Sequence, residues 1–398
     1  MRAAVLNSAP IMLDRILIDR RVDALAPELA EVARDLHAHP ELRFEEHRSA
    51  GALVARLEAH GVTVERGLAG MPTSFRARAG EGGARVAILA EYDALPEIGH
   101  ACGHNLIAAG ALGAFLALAR DGVTLPGTVE LIGTPAEEGG GGKALLLDAG
   151  AFAGVDAAMM FHPFDRDLLM HTALANVWLE MTFHGVPSHA AIAPWDGASA
   201  LTACLETFRL VDSQRVHFRD GVRVHGFVTN GGQAVNIIPE RAACEMSVRA
   251  TTDAELARVR AIVERCARGA ALACGVEVGI VARRGYRSMN NNATLARRFG
   301  ANLEALGRTP RERDASVGAG STDMGDVSQV VPAIHPWLAI CGEGAATCHQ
   351  RAFADAAVAE PGIAAMLVAA KTMARTALDV LEDEGLRAAM KAEFEASR

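Results

Sequence analysis

Along residues 45–60, EEHRSAGALVARLEAH, the apolar positions Ala50, Leu53, Val54 and Leu57 recur three and four apart, and Gly61 follows where the run stops. That spacing predicts a helix with one buried stripe. Shorter apolar runs come next: VTVE (62–65), TSFRARA (73–79), RVAILA (85–90), GTVELIG (127–133) and DAAMMFH (156–162). Each predicts a strand, and a helix opens near His104 between the third and fourth of them. Strands alternating with helices imply an α/β layer with helices on its faces.

The rhythm changes in the middle of the chain. LANVWLEMTF (174–183) alternates as a strand does, and GASALTACLETFRLVDSQ (197–214) has helical spacing. VRVHGFVT (222–229), RAACEMSVRA (241–250) and VEVGIVA (276–282) read as strands, with a helix between the last two opened by the capping box Thr252-Asp253-Ala254-Glu255. Strand-helix-strand-strand-helix-strand is the ferredoxin-like order. The fold class expected is therefore α/β, with a catalytic domain formed by 1–173 and 286–398 and an inserted ferredoxin-like α+β domain over 174–285.

Composition narrows the partners. The chain has 398 residues, enough for two domains, and a formal net charge of −9 with no basic block. That disfavours nucleic acid and anionic membranes as partners. Seven cysteines lie scattered with no CxxC pair, so a disulfide framework is not expected and a reducing compartment is. The leading MRAAVLNSAPIMLDR reaches Asp14 before an export-signal core has formed, and the apolar run 106–119 is shorter than the roughly 20 residues that span a bilayer. A soluble, cytoplasmic protein is the expectation.

The chemistry gathers at the ends of the predicted strands, where α/β sheets place their sites. GHACGHN (99–105) puts Cys102 between two histidines; by itself it fits a core pair, a reactive thiol or a metal site. TPAEEGGGG (134–142) places Glu137 and Glu138 side by side after a strand, and two such carboxylates repel unless a cation or proton intervenes. His162 stands at the tip of DAAMMFH, and TCHQRAF (347–353) offers His349. Cys, His and carboxylate donors together suit zinc or a similar borderline ion. Asp93 reads as the partner that orients His104, since ligating histidines need one. His37, His39 and His100 read as structural.

The segments HAHPELRFEEHRSA, AEYDALPEIGHACGHN, TPAEEGGGG, FHP, GVPSHAA, NIIPE and GSTDMGDVS, in order over about residues 30–355, resemble the motif set of the M20 metallopeptidase family. Within its amidohydrolase branch the chain looks most like the aminobenzoyl-glutamate-hydrolase-like and β-alanyl-lysine-dipeptidase-like members. The resemblance implies two divalent metal ions (zinc, manganese, cobalt or nickel) bridged by the Cys102 thiolate, with His104, Glu138, His162 and His349 as further ligands. It implies Glu137 as general base and His189, in the inserted domain, as the oxyanion donor of the partner subunit's site in a homodimer. It also implies Asn236 and Arg249 as a polar pair for a substrate carboxylate. The sequence departs from the branch's common pattern in having EYD (91–93) where DMD is usual and Asn105 where Asp is; neither position is expected to ligate metal.

The reaction this implies is hydrolysis of an amide C–N bond in a small carboxylate-bearing substrate, such as an N-acyl amino acid, a dipeptide or an aminobenzoyl-glutamate-like compound. An alternative keeps the site but releases ammonia from an aromatic amino acid-like compound. A third reading, a non-catalytic metal-dependent binding protein, leaves a base and an oxyanion donor without purpose.

Overall fold

The computed structural model describes residues 13–119 and 124–397; most of the leading stretch read for an export signal lies outside the described residues. Two compact units divide the chain. One comprises the chain up to His171, Asn290–Gly318 and Asp326 onward; the other is Thr172–Met289 with Ala319–Gly325. The sequence reading assigns that last short segment to the first unit. It belongs to the second, where the Gly320 carbonyl accepts the Leu174 N–H at 2.7 Å.

In the first unit, β1 (Val64–Arg66), β2 (Phe75–Ala79), β3 (Ala84–Ala90), β4 (Gly127–Gly133), β5 (Ala157–Met159) and β6 (His162–Phe164) follow one another along the chain. The second unit carries β7 (Ala175–His184), β8 (Arg223–Asn230), β9 (Arg241–Ala250) and β10 (Glu277–Arg284), and the chain returns with β11 (Ala333–Ile334) and β12 (Trp337–Ala339). The larger sheet has the order β1-β2-β4-β3-β5-β11. β3 runs parallel to both β4 and β5, so the segments that leave all three emerge at one edge. The expected strand 156–162 is in fact broken. After Met159 the chain changes partner: the His162 N–H donates to the Pro336 carbonyl at 2.8 Å, and β6 pairs in parallel with β12. His162 therefore opens a strand rather than ending one.

Helix His104–Leu118 is buried along its whole length. A helix with no polar face must be covered on every side: β3 packs against it, as do helices Arg15–Ala38 and Glu360–Glu382. Helix Glu360–Glu382 is not among the elements expected from the pattern.

The second unit's sheet is antiparallel in the order β10-β7-β9-β8, with helices Ala200–Gln214 and Asp253–Cys274 packed on it. Numbered within the unit this is 4-1-3-2, the ferredoxin-like arrangement. Thr252 caps the second helix through the Glu255 N–H, as its capping box requires. No helix among the described residues is long and apolar enough to cross a membrane.

Candidate metal centre

The centre is built where β3 and β4 end and the buried helix begins. His104 is the first residue of that helix. Its Nδ1 lies 3.0 Å from Asp93 Oδ1 and 2.9 Å from the Asp93 carbonyl. The other Asp93 oxygen accepts the Glu138 N–H at 2.8 Å. One aspartate thus sets the histidine's tautomer and seats the loop after β4. With Nδ1 engaged, His104 Nε2 faces the centre, 3.4 Å from Glu91 Oε2 and 3.9 Å from Glu137 Oε2.

His162 is oriented in the same way. Its Nδ1–H donates to the Pro163 carbonyl at 2.7 Å, leaving Nε2 3.5 Å from Cys102 Sγ. Burial lowers the His162 pKa to about 4, so the ring is neutral and able to ligate. His349 comes from the far end of the chain. Its backbone N–H donates to the Ala101 carbonyl at 2.8 Å, and its Nε2 sits 3.3 Å from Glu138 Oε1.

Among the described residues of the first unit, three overlapping groups of expected ligands and base result. The ligand atoms of Cys102, His104 and His162 lie within 4.8 Å of one another; so do those of Cys102, Glu138 and His349, and those of His104, Glu137 and Glu138. Cys102 belongs to two of them, as a thiolate shared between two ions would.

The electrostatics fit a cation. Burial alone would depress the His104 pKa, but Asp93 and Glu91 outweigh it and hold it well above the usual value. Burial would likewise raise Glu138, yet the adjoining His349 ring and the His104 charge bring it down. His104 Nε2, Glu91 Oε2 and Glu138 Oε1 are buried without a hydrogen-bond partner. Polar atoms in that condition are costly unless something coordinates them. The donors are nitrogen, oxygen and sulfur, which suit a borderline divalent ion. The neighbouring Cys348 thiol, then burial, push the Cys102 pKa well up, so this thiol ligates only if an ion draws off its proton.

One participant goes beyond the sequence reading, which gives position 91 no ligating role. Glu91 is instead buried against His104, with its other oxygen 2.5 Å from the buried Lys143 ammonium. The signal for it is a carboxylate directly after an apolar parallel strand. His37 reaches the distant Ala354 carbonyl and His39 the Asp35 carbonyl one turn back.

The remaining candidates lie in the second unit. His189 is exposed, and its Nδ1 accepts the N–H groups of Ala191 and Ile192, each at 3.2 Å. That leaves Nε2–H as an outward donor. The Ala190 N–H donates to the Asn236 carbonyl at 2.9 Å, so His189 and Asn236 sit on adjoining loops next to the His184↔Arg241 end of the sheet. Arg249 is elsewhere. It pairs with Asn176 at the opposite end of β9, about 27 Å along the strand from Arg241 at roughly 3.4 Å per residue. Within one chain Asn236 and Arg249 therefore lie toward opposite ends of the sheet.

Residues 87–378 match the model of peptidase family M20/M25/M40. The chain is 37% identical to the mouse Xaa-Arg dipeptidase over 94% of its own length and 90% of that protein's. It is 30% identical to one of the subunits of p-aminobenzoyl-glutamate hydrolase from Escherichia coli K12, covering 93% and 92% of the two chains. Among solved structures, a dinuclear metal-binding peptidase of the M20 family from Bacillus subtilis superposes with a TM-score of 0.71 at 23% identity, over 90% of this chain and 99% of that one.

Proposed function

Because the chain belongs to peptidase family M20/M25/M40, a family of metal-dependent hydrolases of C–N bonds, we propose that it is a dipeptidase whose substrates end in a free carboxylate, with a basic carboxy-terminal residue as first choice. The observation that carries the chemistry is the pair of ligand groups sharing Cys102. The substrate class is supported by the Xaa-Arg dipeptidases of mouse and human, at 37% and 35% identity over 94% of this chain.

Cys102, His104, Glu138, His162 and His349 would hold two divalent ions. Such ions supply a water activated near neutral pH and polarise the scissile carbonyl. Glu137, next to a ligand and facing His104, takes the attacking water's proton and passes it to the leaving nitrogen. His189 donates its Nε2–H to the oxyanion. Asn236 and Arg249 grip the substrate carboxylate from opposite sides.

The active unit is a homodimer formed through the inserted domain. β8 is an edge strand whose residues are mostly exposed, including Phe227 at 62%, and such an edge calls for pairing or cover. The separation of Asn236 and Arg249 supports the same reading: the carboxylate grip closes only if His189 and Asn236 come from the partner.

The test is release of free arginine from alanyl-arginine by zinc-loaded protein, with p-aminobenzoyl-glutamate and N-acetyl amino acids in parallel. No release from any of them would reject the proposal. Cys102→Ala should lose bound zinc by elemental analysis, whereas Cys204→Ala should retain it; equal zinc in both would remove Cys102 from the site. His189→Ala should keep zinc and dimer but lose about 10²-fold in turnover. Mixing it with Glu137→Gln under demonstrated subunit exchange should restore activity, because one composite site in each hybrid is intact. Zero activity after exchange would mean that His189 does not act in trans.

A further inference from the structure

We infer that Glu46 is a positioning residue for this hydrolysis, holding the turn Ala136–Gly140 in the conformation that aims Glu137 and Glu138 into the metal centre. The inference rests on the base and ligand roles proposed for those two glutamates.

Glu46 is fully buried directly before helix His47–Ala59, yet its side chain makes no cap for that helix. Its Oε1 instead accepts two backbone N–H groups, that of Phe44 at 2.9 Å and that of Ala136 at 2.8 Å. Both residues have left-handed backbone, φ 66° at Phe44 and 61° at Ala136, a region that is costly for a residue bearing a Cβ. A single carboxylate oxygen therefore meets both strained positions. The turn is closed from Ala136 onward by Gly139 N–H to the Glu137 carbonyl at 2.7 Å and Gly140 N–H to the Ala136 carbonyl at 3.1 Å.

The segment that carries Glu46 grips the same turn twice more. Arg43 Nη1 donates to the Glu138 carbonyl at 3.1 Å. The Phe44 ring lies so close that a Cβ at Gly140 would fall 2.8 Å from its Cε2. With Asp93 holding the Glu138 N–H on the other side, the backbone of the turn is held from both sides. Remove the Glu46 acceptor, and the Ala136 N–H is left buried without a partner. The φ then relaxes, and the following peptides rotate both glutamates off their targets. Misplacement by about 1 Å at a reacting group can cost about 10²-fold in rate.

The experiment compares Glu46→Ala, Glu46→Gln and Glu46→Ala combined with Ala136→Gly in the full-length chain. The exposed Glu45→Ala serves as control and Glu137→Gln as reference. Readouts are circular dichroism, zinc affinity by calorimetry, and kcat and KM on alanyl-arginine. Glu46→Ala should fold, bind zinc about tenfold more weakly, and at saturating zinc lose about 100-fold in kcat with KM within about threefold. Glu46→Gln retains an acceptor and should recover at least about tenfold over Glu46→Ala. Glycine at 136, free of the left-handed penalty, should also recover part of the loss. Glu45→Ala should match wild type. Wild-type zinc affinity and kcat in Glu46→Ala overturn the inference. So does an equal loss in Glu46→Ala and Glu46→Gln with no recovery from glycine, since that marks lost packing. If Glu46→Ala does not fold, Glu46→Asp, which falls short of the Ala136 N–H, carries the same expectation and the same overturning result. Full turnover in Glu137→Gln removes the base assignment itself. An inactive Glu137→Gln beside a fully active Glu46→Ala removes only this inference, and the zinc arm is independent of the substrate chosen.

Discussion

Glu137→Gln protein is expected to bind zinc as the wild type does and to turn over about 10²- to 10⁴-fold more slowly. The substitution keeps the volume and planar shape of a side chain that is 8% exposed and faces His104 Nε2, so binding geometry is preserved while the proton acceptor is lost. Glu138→Gln is the necessary comparison. Its carboxylate lies against His349 and shares a ligand group with Cys102, so its substitution should first weaken zinc binding and affect turnover through that loss. Calorimetric zinc titrations with steady-state kinetics at saturating zinc separate the two. If both variants lose zinc equally, or if Glu137→Gln keeps its turnover, the division of labour between the adjacent glutamates is wrong.

The second large effect concerns stability. Lys143→Met should cost about 3–5 kcal/mol, because breaking a buried ion pair strands the remaining charge. Lys143 and Glu91 are both essentially inaccessible, and the ammonium sits 2.5 Å from the carboxylate. The measurement is urea unfolding of chelator-treated protein, so that a bound cation does not stand in for the lysine. The double variant Lys143→Met with Glu91→Leu should recover most of the loss, since a pair of apolar side chains leaves no orphaned charge. A single variant within about 1 kcal/mol of wild type, well under the range for a broken buried pair, would show that Glu91 is compensated by other groups.

Much of this architecture is legible because strands and amphipathic helices write their periods into the chain. The inserted unit is the clearest case: its alternating strands and its capping box specify a ferredoxin-like order before any contact is known. What is not legible has physical causes. The break before His162 comes from a change of hydrogen-bonding partner between β11 and β12, and neither local spacing nor propensity records which distant strand is nearer. Helix Arg15–Ala38 carries Arg21 among its buried residues and Pro27 in its interior, which blurs its stripe. The site residues are recognisable as types at strand ends, Glu91 among them, but its turn toward a neighbouring histidine is not, since that depends on the lysine that meets it. The distance between Asn236 and Arg249 follows from strand length alone, and counting residues along β9 exposes it.

The all-apolar helix His104–Leu118 also constrains how the protein is made. Its covering partner Glu360–Glu382 lies near the end of the chain, so during synthesis the helix emerges hundreds of residues before one of its walls exists. Until then it offers the cell an unprotected greasy rod, the kind of surface that chaperones bind and that aggregates in their absence. His104 heads that rod, and His349 is made only shortly before the missing wall. With His349 as the proposed ligand, metal capture becomes a late event in biogenesis: a ribosome-arrested chain ending before residue 349 should emerge chaperone-bound and unable to retain zinc, however abundant the ion.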